Sequence, residues 1–385
     1  MRLSIITSRF PYPLEKGDKL RIYHQIRVLA THFEIQLLAL SFEEVPDVYK
    51  SELLKFCKEV HVFQLNKGKQ ILKAGINSLS PTPLQTQLFY SKAIDKEMST
   101  KVQSFGSKKL YFQLARTAEY LKSTELPKLI DFQDAFSQGM YRTYKKAAWY
   151  SKLIYLWEYK KMQKYEHKIL ASFDAATIIS EQDQALIASP KKEEIKIVAN
   201  GVDFDFFSKR KEEKIYDLVF VGNMSYPPNI DAAKYLAEDI VPALQAEGWQ
   251  GKLLLAGATP HRKVKALANE QVHISGWLDD IRDAYAKAKI FIAPMRIGTG
   301  LQNKLLEAMS MQLPVITSSL ANNALGANEN QVCIAGNKAE YTAYILELLQ
   351  DEVKAQQLAE AGKDFVLEHY SWKAASAPLI ELLKA

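Results

Sequence analysis

The residues with the clearest capacity for chemistry lie in one short run, Gly298-Thr299-Gly300-Leu301-Gln302-Asn303-Lys304-Leu305-Leu306-Glu307. Its glycines let the backbone approach a bound group closely, and the free N–H groups of the helix that follows favour an anion. Thr299, Asn303 and Glu307 are four apart and share one helix face, while Leu301, Leu305 and Met309 form an inward stripe. Lys304 falls near the first turn, where a cation opposes the helix dipole unless an anion sits there. The spacing therefore predicts a phosphate at Gly298, Gly300 and Lys304, with Glu307 accepting hydrogen bonds from ribose hydroxyls. A Gly-capped surface helix with an ordinary Lys–Glu pair is the competing reading, and Gly-x-Gly taken alone favours it.

Such a helix start needs a strand before it and a sheet to carry it. Ile290 to Ala293 supplies the strand, and Pro314-Val315-Ile316 is the next one. Apolar runs of similar length recur at Leu218 to Val221, Leu253 to Leu255 and Val272 to Ile274, each followed by Gly, Asn or Asp and a helix-like stretch. An earlier series runs through Leu3 to Ile6, Ile35 to Leu40, Val60 to Phe63, Leu129 to Phe132 and Ala175 to Ile179. Strands alternating with helices predict α/β folds with parallel sheets covered on both faces. A chain of 385 residues exceeds one ordinary core, so two domains are expected. The reading is two Rossmann-like domains facing across a cleft, divided at the sharp turn Asn200-Gly201. Residues 1–200 form the first domain and 201–370 the second, with a C-terminal helix over 371–385 crossing back to the first.

Composition fits a globular protein, 48% hydrophobic and 24% charged, and excludes disordered and collagen-like chains. A formal charge of +6 and a pI near 8.9 favour anionic partners without choosing among them. Cys57 and Cys333 have neither disulfide-framework nor zinc-site spacing, which suits a reducing, cytoplasmic setting. Pro11 and Pro13 interrupt the N-terminal apolar run before a secretory core forms. No apolar stretch approaches the roughly 20 residues that span a bilayer, so membrane association would be peripheral, on the inner face.

The wider context of the phosphate segment resembles the family-four glycosyltransferases of GT-B fold, in the pattern Gly-x-Gly-(x)3-Lys-x-x-Glu-Ala-Met followed by a Pro-Val-Ile strand. Further matches occur in order. Pro11-Tyr12-Pro13 with Gly17-Asp18 and Arg21 resembles the family's donor-facing loop, and Asn200-Gly201-Val202-Asp203 its interdomain turn. Phe220-Val221-Gly222-Asn223-Met224 with Pro228-Asn229, then Ser275-Gly276-Trp277 with Asp279-Asp280, then Tyr370-Ser371-Trp372 follow the same order. Leu129-Ile130-Asp131-Phe132-Gln133-Asp134 with Ser137 is similar to a subgroup of sugar transferases associated with bacterial exopolysaccharide and exosortase systems.

The resemblance implies a retaining transferase that moves a sugar from a nucleotide-diphosphate donor to a glycan or lipid-linked acceptor in surface polysaccharide assembly. It implies donor contacts at Gly17, Gly222, Asn223, Gly276, Trp277, Arg296, Gly298, Thr299, Gly300, Leu301, Asn303, Lys304 and Glu307. Asp18, Arg21, Asp131 and Asp134 are implied near the acceptor or sugar, with Asp134, Lys304 and Glu307 closest to the chemistry. Asp131 and Asp134 read equally well as a strand-end turn or helix cap. Two departures matter. Thr299 stands where the family commonly has the first Glu of Glu-(x)7-Glu, and the Arg and Lys that often follow the second domain's glycine loop are missing between Gly222 and Asn229. Arg296 or Lys304 is left to carry the diphosphate. No Asp-x-Asp lies at a second-domain strand end, so no metal and no cofactor is expected.

From Tyr141 to Leu170 eight Lys/Arg stand against two Glu, among eight Tyr/Trp. That mixture suits an anionic membrane surface or lipid-linked acceptor, or equally a long helix with a solvated basic face. No nucleic-acid motif accompanies it. Two competing functions remain: a catalytically silent nucleotide- or glycan-binding protein of the same fold, which the loss of the first Glu permits, and a nicotinamide dehydrogenase. The second would need Gly-x-Gly-x-x-Gly after the first strand, which Ser8 to Gly17 does not provide.

Overall fold

The computed structural model describes residues 1–297 and 300–385, and of Lys146 only the backbone. It divides into two compact units, Met1–Ala199 with Ser376–Ala385, and Asn200–Ala375. The chain re-enters the first unit at Ser376 rather than Ser371, because Ser371 bridges Val202 and Trp372 packs on Gly201 within the second unit.

Seven strands build the sheet of the first unit: β1 (Arg2–Thr7), β2 (Glu34–Ser41), β3 (Glu59–Gln64), β4 (Lys109–Gln113), β5 (Lys128–Asp131), β6 (Ala175–Ile178) and β7 (Lys196–Ile197). Their order is β3-β2-β1-β4-β5-β6-β7, and neighbours pair in parallel. The strands read as near-continuous apolar runs because helices cover both faces, as buried parallel strands require. Leu3, Ile5, Leu37 and Tyr111 point to one core, and Ile6, Leu38, Phe112 and Ile130 to the other. The C-terminal helix Ala377–Lys384 inserts Leu379, Ile380 and Leu383 into the first of these.

The second sheet has the order β10-β9-β8-β11-β12-β13 and is also parallel. Its strands are β8 (Tyr216–Val221), β9 (Leu253–Ala256), β10 (Val272–Gly276), β11 (Ala288–Ala293), β12 (Val315–Thr317) and β13 (Cys333–Ile334). In each sheet the order reverses once, between β1 and β4 and between β8 and β11. Ligands of open α/β sheets bind outside the carboxyl ends of the strands at such points. Helix starts there are fixed locally. Pro227 and Pro228 open the helix Pro227–Tyr235, where a missing N–H costs nothing, and the Ser318 hydroxyl caps Ser319–Leu325.

Candidate functional site

The phosphate segment follows β11, and its helix spans Asn303–Ser310, with no side-chain cap from Gln302. Leu305, Leu306, Ala308 and Met309 are buried against the sheet, leaving Asn303, Lys304 and Glu307 on the half-buried side. Lys304 Nζ donates to Asn229 Oδ1 at 2.5 Å and lies 4.7 Å from the centre of the Phe220 ring on β8. Burial pushes its pKa down to about 8, against an upward pull from the Glu307 charge. Glu307 is not ion-paired to it. Instead Glu307 Oε2 accepts the Tyr285 hydroxyl at 2.7 Å. Burial raises this carboxyl above its usual range, while Tyr285 and Lys304 draw it back. The surface Lys–Glu pair of the competing reading is therefore absent among the described residues, and Glu307 Oε1 stays available to another donor.

Gly222 explains how Asn229 reaches Lys304. A Cβ on Gly222 would meet Asn229 Nδ2 at 2.6 Å, and that amide spans the loop to donate to the Asn223 carbonyl at 2.9 Å. Gly257, at φ +136°, must likewise lack a side chain because a Cβ would collide with the Gly222 carbonyl. A glycine loop, one asparagine and one lysine thus bracket the point where the second sheet reverses. Asn303 Oδ1 accepts from Asn200 at 3.4 Å.

The other expected donor contacts fall at the same carboxyl edge with different surroundings. Gly276 takes φ +68° beside an irregularity in the β9–β10 register, and Trp277 after it is 72% exposed. Leu301 is partly buried against the core of this unit. Gly300 takes φ +82°. Gly298 and Thr299 lie outside the described residues. Arg296 is already ion-paired: its Nε and Nη2 are bidentate on Asp231, at 3.0 and 2.8 Å, and its guanidinium lies 4.4 Å from the Tyr235 ring centre. Of the two cations expected to carry the phosphates, Lys304 is the one held by a neutral partner.

In the first unit Gly17 opens the helix Gly17–Leu29, and Asp18 accepts Arg9 Nη1 at 2.7 Å. Arg21 and Asp131 correct the expectation of sugar or acceptor contact, since both side chains are 0% exposed and each satisfies the other. Arg21 donates Nε and Nη2 to Asp131 at 2.7 and 3.2 Å, Nη2 to the Val198 carbonyl at 2.8 Å and Nη1 to the Ala199 carbonyl at 3.2 Å. Asp131 also accepts from Thr177 Oγ1 and the Gln133 amide. The pair joins a helix to the ends of β5, β6 and β7. Asp134 behaves differently. It is open to water but set among protein, and that surrounding protein and the Asp183 charge push its carboxyl up to about 6 against Arg142 and Arg116.

Residues 216–351 match the family described as glycosyl transferases group 1. They form a group 1 glycosyltransferase domain. This glycosyltransferase domain contains every described donor contact expected of the second unit. Over the whole chain, the protein is 21% identical to an uncharacterised 44.6 kDa protein in the cps region of Klebsiella pneumoniae, covering 97% of both. Its fold matches Anabaena Alr3699/HepE, solved in complex with UDP and glucose, at TM-score 0.68 and 12% identity over 100% of each chain. It also matches sucrose-phosphate synthase from Thermosynechococcus elongatus at TM-score 0.66 and 14% identity, over 100% of this chain and 98% of that one. The fold is GT-B.

Within the glycosyltransferase domain, sequence reading missed Tyr285, which holds Glu307, and did not give Asn229 its role. Asn229 had a signal, because it stands shortly after the Gly222 loop with Pro228 fixing the helix start between them. Tyr285 had none; an aromatic in a helix reads as core. Among the described residues no group of three or more His, Cys, Asp or Glu side chains gathers as a metal site.

Proposed function

We propose that the protein is a retaining, metal-independent glycosyltransferase that takes a nucleoside-diphosphate sugar and delivers its sugar to a glycan or lipid-linked acceptor. The observation that carries this is Lys304, a half-buried lysine whose ammonium, among the described residues, hydrogen-bonds to the neutral Asn229 at the switch point of the second sheet. An ammonium there is under-compensated until an anion arrives. The donor diphosphate would lie against Lys304 and the Asn303 helix start, and the ribose would reach Glu307 Oε1. The anomeric carbon would exchange its bond to the diphosphate oxygen for one to the acceptor oxygen on the same face. The hydroxyl proton would pass to the departing diphosphate, with Asp134 orienting the acceptor. UDP and glucose in the HepE structure support a uridine donor.

The test is calorimetric binding of UDP, GDP and their glucose conjugates to the whole chain in EDTA, followed by donor turnover. Glu307→Ala is expected to weaken UDP binding by about tenfold, the worth of one charge-assisted hydrogen bond, with the fold retained at a stability cost of about 1–3 kcal/mol for the unmet Tyr285 hydroxyl. Unchanged affinity would remove Glu307 from the ribose site, and UDP binding without turnover on any glycan would favour a silent binder.

An anionic membrane surface is the second part of the reading. The helix Trp149–Ser172 follows Phe136–Lys146, and its first turns leave Trp149 85% exposed, with Tyr150, Leu153 and Ile154 also in water. A separate helix, Lys67–Ile76, exposes Ile71, Leu72 and Ile76, followed by Leu79 at 87%. Lys161 ties the two regions by donating to the Ser78 carbonyl at 2.6 Å. Exposed aromatics and aliphatics among lysines match an interfacial seat; no helix among the described residues is long and apolar enough to cross a membrane. Trp149→Ser with Leu153→Ser should cut co-sedimentation with vesicles containing 30% phosphatidylglycerol by about tenfold, on the basis of the apolar area lost. Equal binding of both proteins to these vesicles would refute the seat.

A further inference from the structure

At the carboxyl edge of the first sheet, where the order reverses between β1 and β4, Arg116 stands in an unusual setting. Its guanidinium packs on the rings of Phe89 and Phe136, 5.1 and 4.9 Å from their centres. Nη2 donates to the neutral Gln85 Oε1 at 3.2 Å, and Nε is buried without a partner. Among the described residues no carboxylate comes within ion-pairing distance of it. The nearest candidates are otherwise placed, since Asp18 is held by Arg9 at 2.7 Å and Asp134 accepts no hydrogen bond from a described donor. A guanidinium packed on aromatics with a buried, unmet donor is costly unless an anion is its normal companion.

Its neighbours extend the pattern. Arg142, on the helix Phe136–Lys146, is exposed, has no ion pair among the described residues, and lies within electrostatic reach of Asp134 and Asp183. Gln133 Oε1 and Ser8 Oγ, after β5 and β1, are buried without partners. A held cation, an open carboxylate and unmet polar atoms thus lie along the edge where open sheets bind ligands.

We propose that Arg116 binds an anionic group on the acceptor, a phosphate or a carboxylate, with Arg142 on the far side of Asp134 adding to the field, and that Asp134 accepts the hydrogen bond of the hydroxyl to be glycosylated. The planar fork of Arg116 suits either oxyanion in bidentate form. The assignment rests on the glycosyltransferase reading for the word acceptor, but the anion site itself belongs wholly to the first unit.

The experiment saturates the whole chain with UDP, which occupies the second-unit phosphate site, and titrates it with methyl glucoside 6-phosphate, methyl glucuronide and uncharged methyl glucoside. One or both charged sugars should bind at least about tenfold more tightly than the neutral one, and which of them does so distinguishes phosphate from carboxylate. Arg116→Gln should erase the preference and Arg116→Lys should keep part of it. Arg142→Gln, at an exposed position that carries no fold risk, should weaken it by about threefold. A neutral sugar that binds as well as the charged ones overturns the proposal, as does a charge preference that survives Arg116→Gln or responds only to Lys304→Met. Failure of UDP to bind would instead count against the sugar-transfer reading, and a preserved charge preference in the same experiment would leave the anion site standing.

Discussion

Replacing Lys304 by Met is expected to lower donor turnover by about 10²–10³-fold, the cost of removing a preorganised charge from a site where negative charge develops. Methionine keeps most of the length and apolar stem, so the packing around Phe220 should survive, and the expected loss of stability is about 1 kcal/mol for the unmet Asn229 acceptor. The pH dependence supplies an independent reading. With a pKa near 8, the ammonium discharges above that pH, and UDP affinity should fall by up to about tenfold for each further unit. The fall cannot be an unfolding artefact of the same group. Its folded value lies below the 10.5 of the free side chain, so between about 8 and 10.5 the unfolded chain holds the proton more tightly, and rising pH favours the folded state through this residue. Calorimetric titrations of wild type and Lys304→Met from pH 6.5 to 9.5 test the point. A wild-type profile as flat as that of the variant would place the diphosphate elsewhere.

Much of the fold was legible because parallel strands buried on both faces are written as unbroken apolar runs. Leu3 to Ile6 and Leu218 to Val221 needed nothing else. Strand β4 escaped notice although it lies at the centre of the first sheet. Its apolar run within the strand is only Leu110-Tyr111-Phe112, and Lys109 and Gln113 at its ends carry side chains that reach Leu382 and Asp18 carbonyls. Strand β13, two residues long, carries no periodic signal at all. The candidate site divides in the same way. Lys304 and Glu307 could be read from spacing along one helix, because a helix turns sequence distance into a shared face. Their partners could not, since Asn229 lies 75 residues from Lys304 and only the packing of β8 against β11 brings them together. Arg296 and Lys304 look alike in sequence, yet Asp231 neutralises one and leaves the other.

The Arg21–Asp131 pair is where motif and geometry part most sharply, and its variants should show the largest effect on stability. Both residues stand in segments that resemble substrate-facing ones, yet 110 residues apart in sequence they close on each other with no exposed side-chain surface. Asp131→Ala would strand a guanidinium left without its carboxylate, among whose other partners are the carbonyls of Val198 and Ala199, a change that costs about 3–5 kcal/mol. That is a large part of the roughly 5–15 kcal/mol that holds a domain together, so the first unit should unfold at much lower urea than in the wild type. Replacing both partners, Arg21→Met with Asp131→Leu, removes the uncompensated charge and should recover most of the loss. Because two units need not unfold together, the transition to follow is the one that UDP does not raise, UDP being expected to bind the second unit. If instead Asp131→Ala melted like the wild type and lost only turnover, the aspartate would be a substrate contact, and the buried pair would be a resting arrangement that the acceptor replaces.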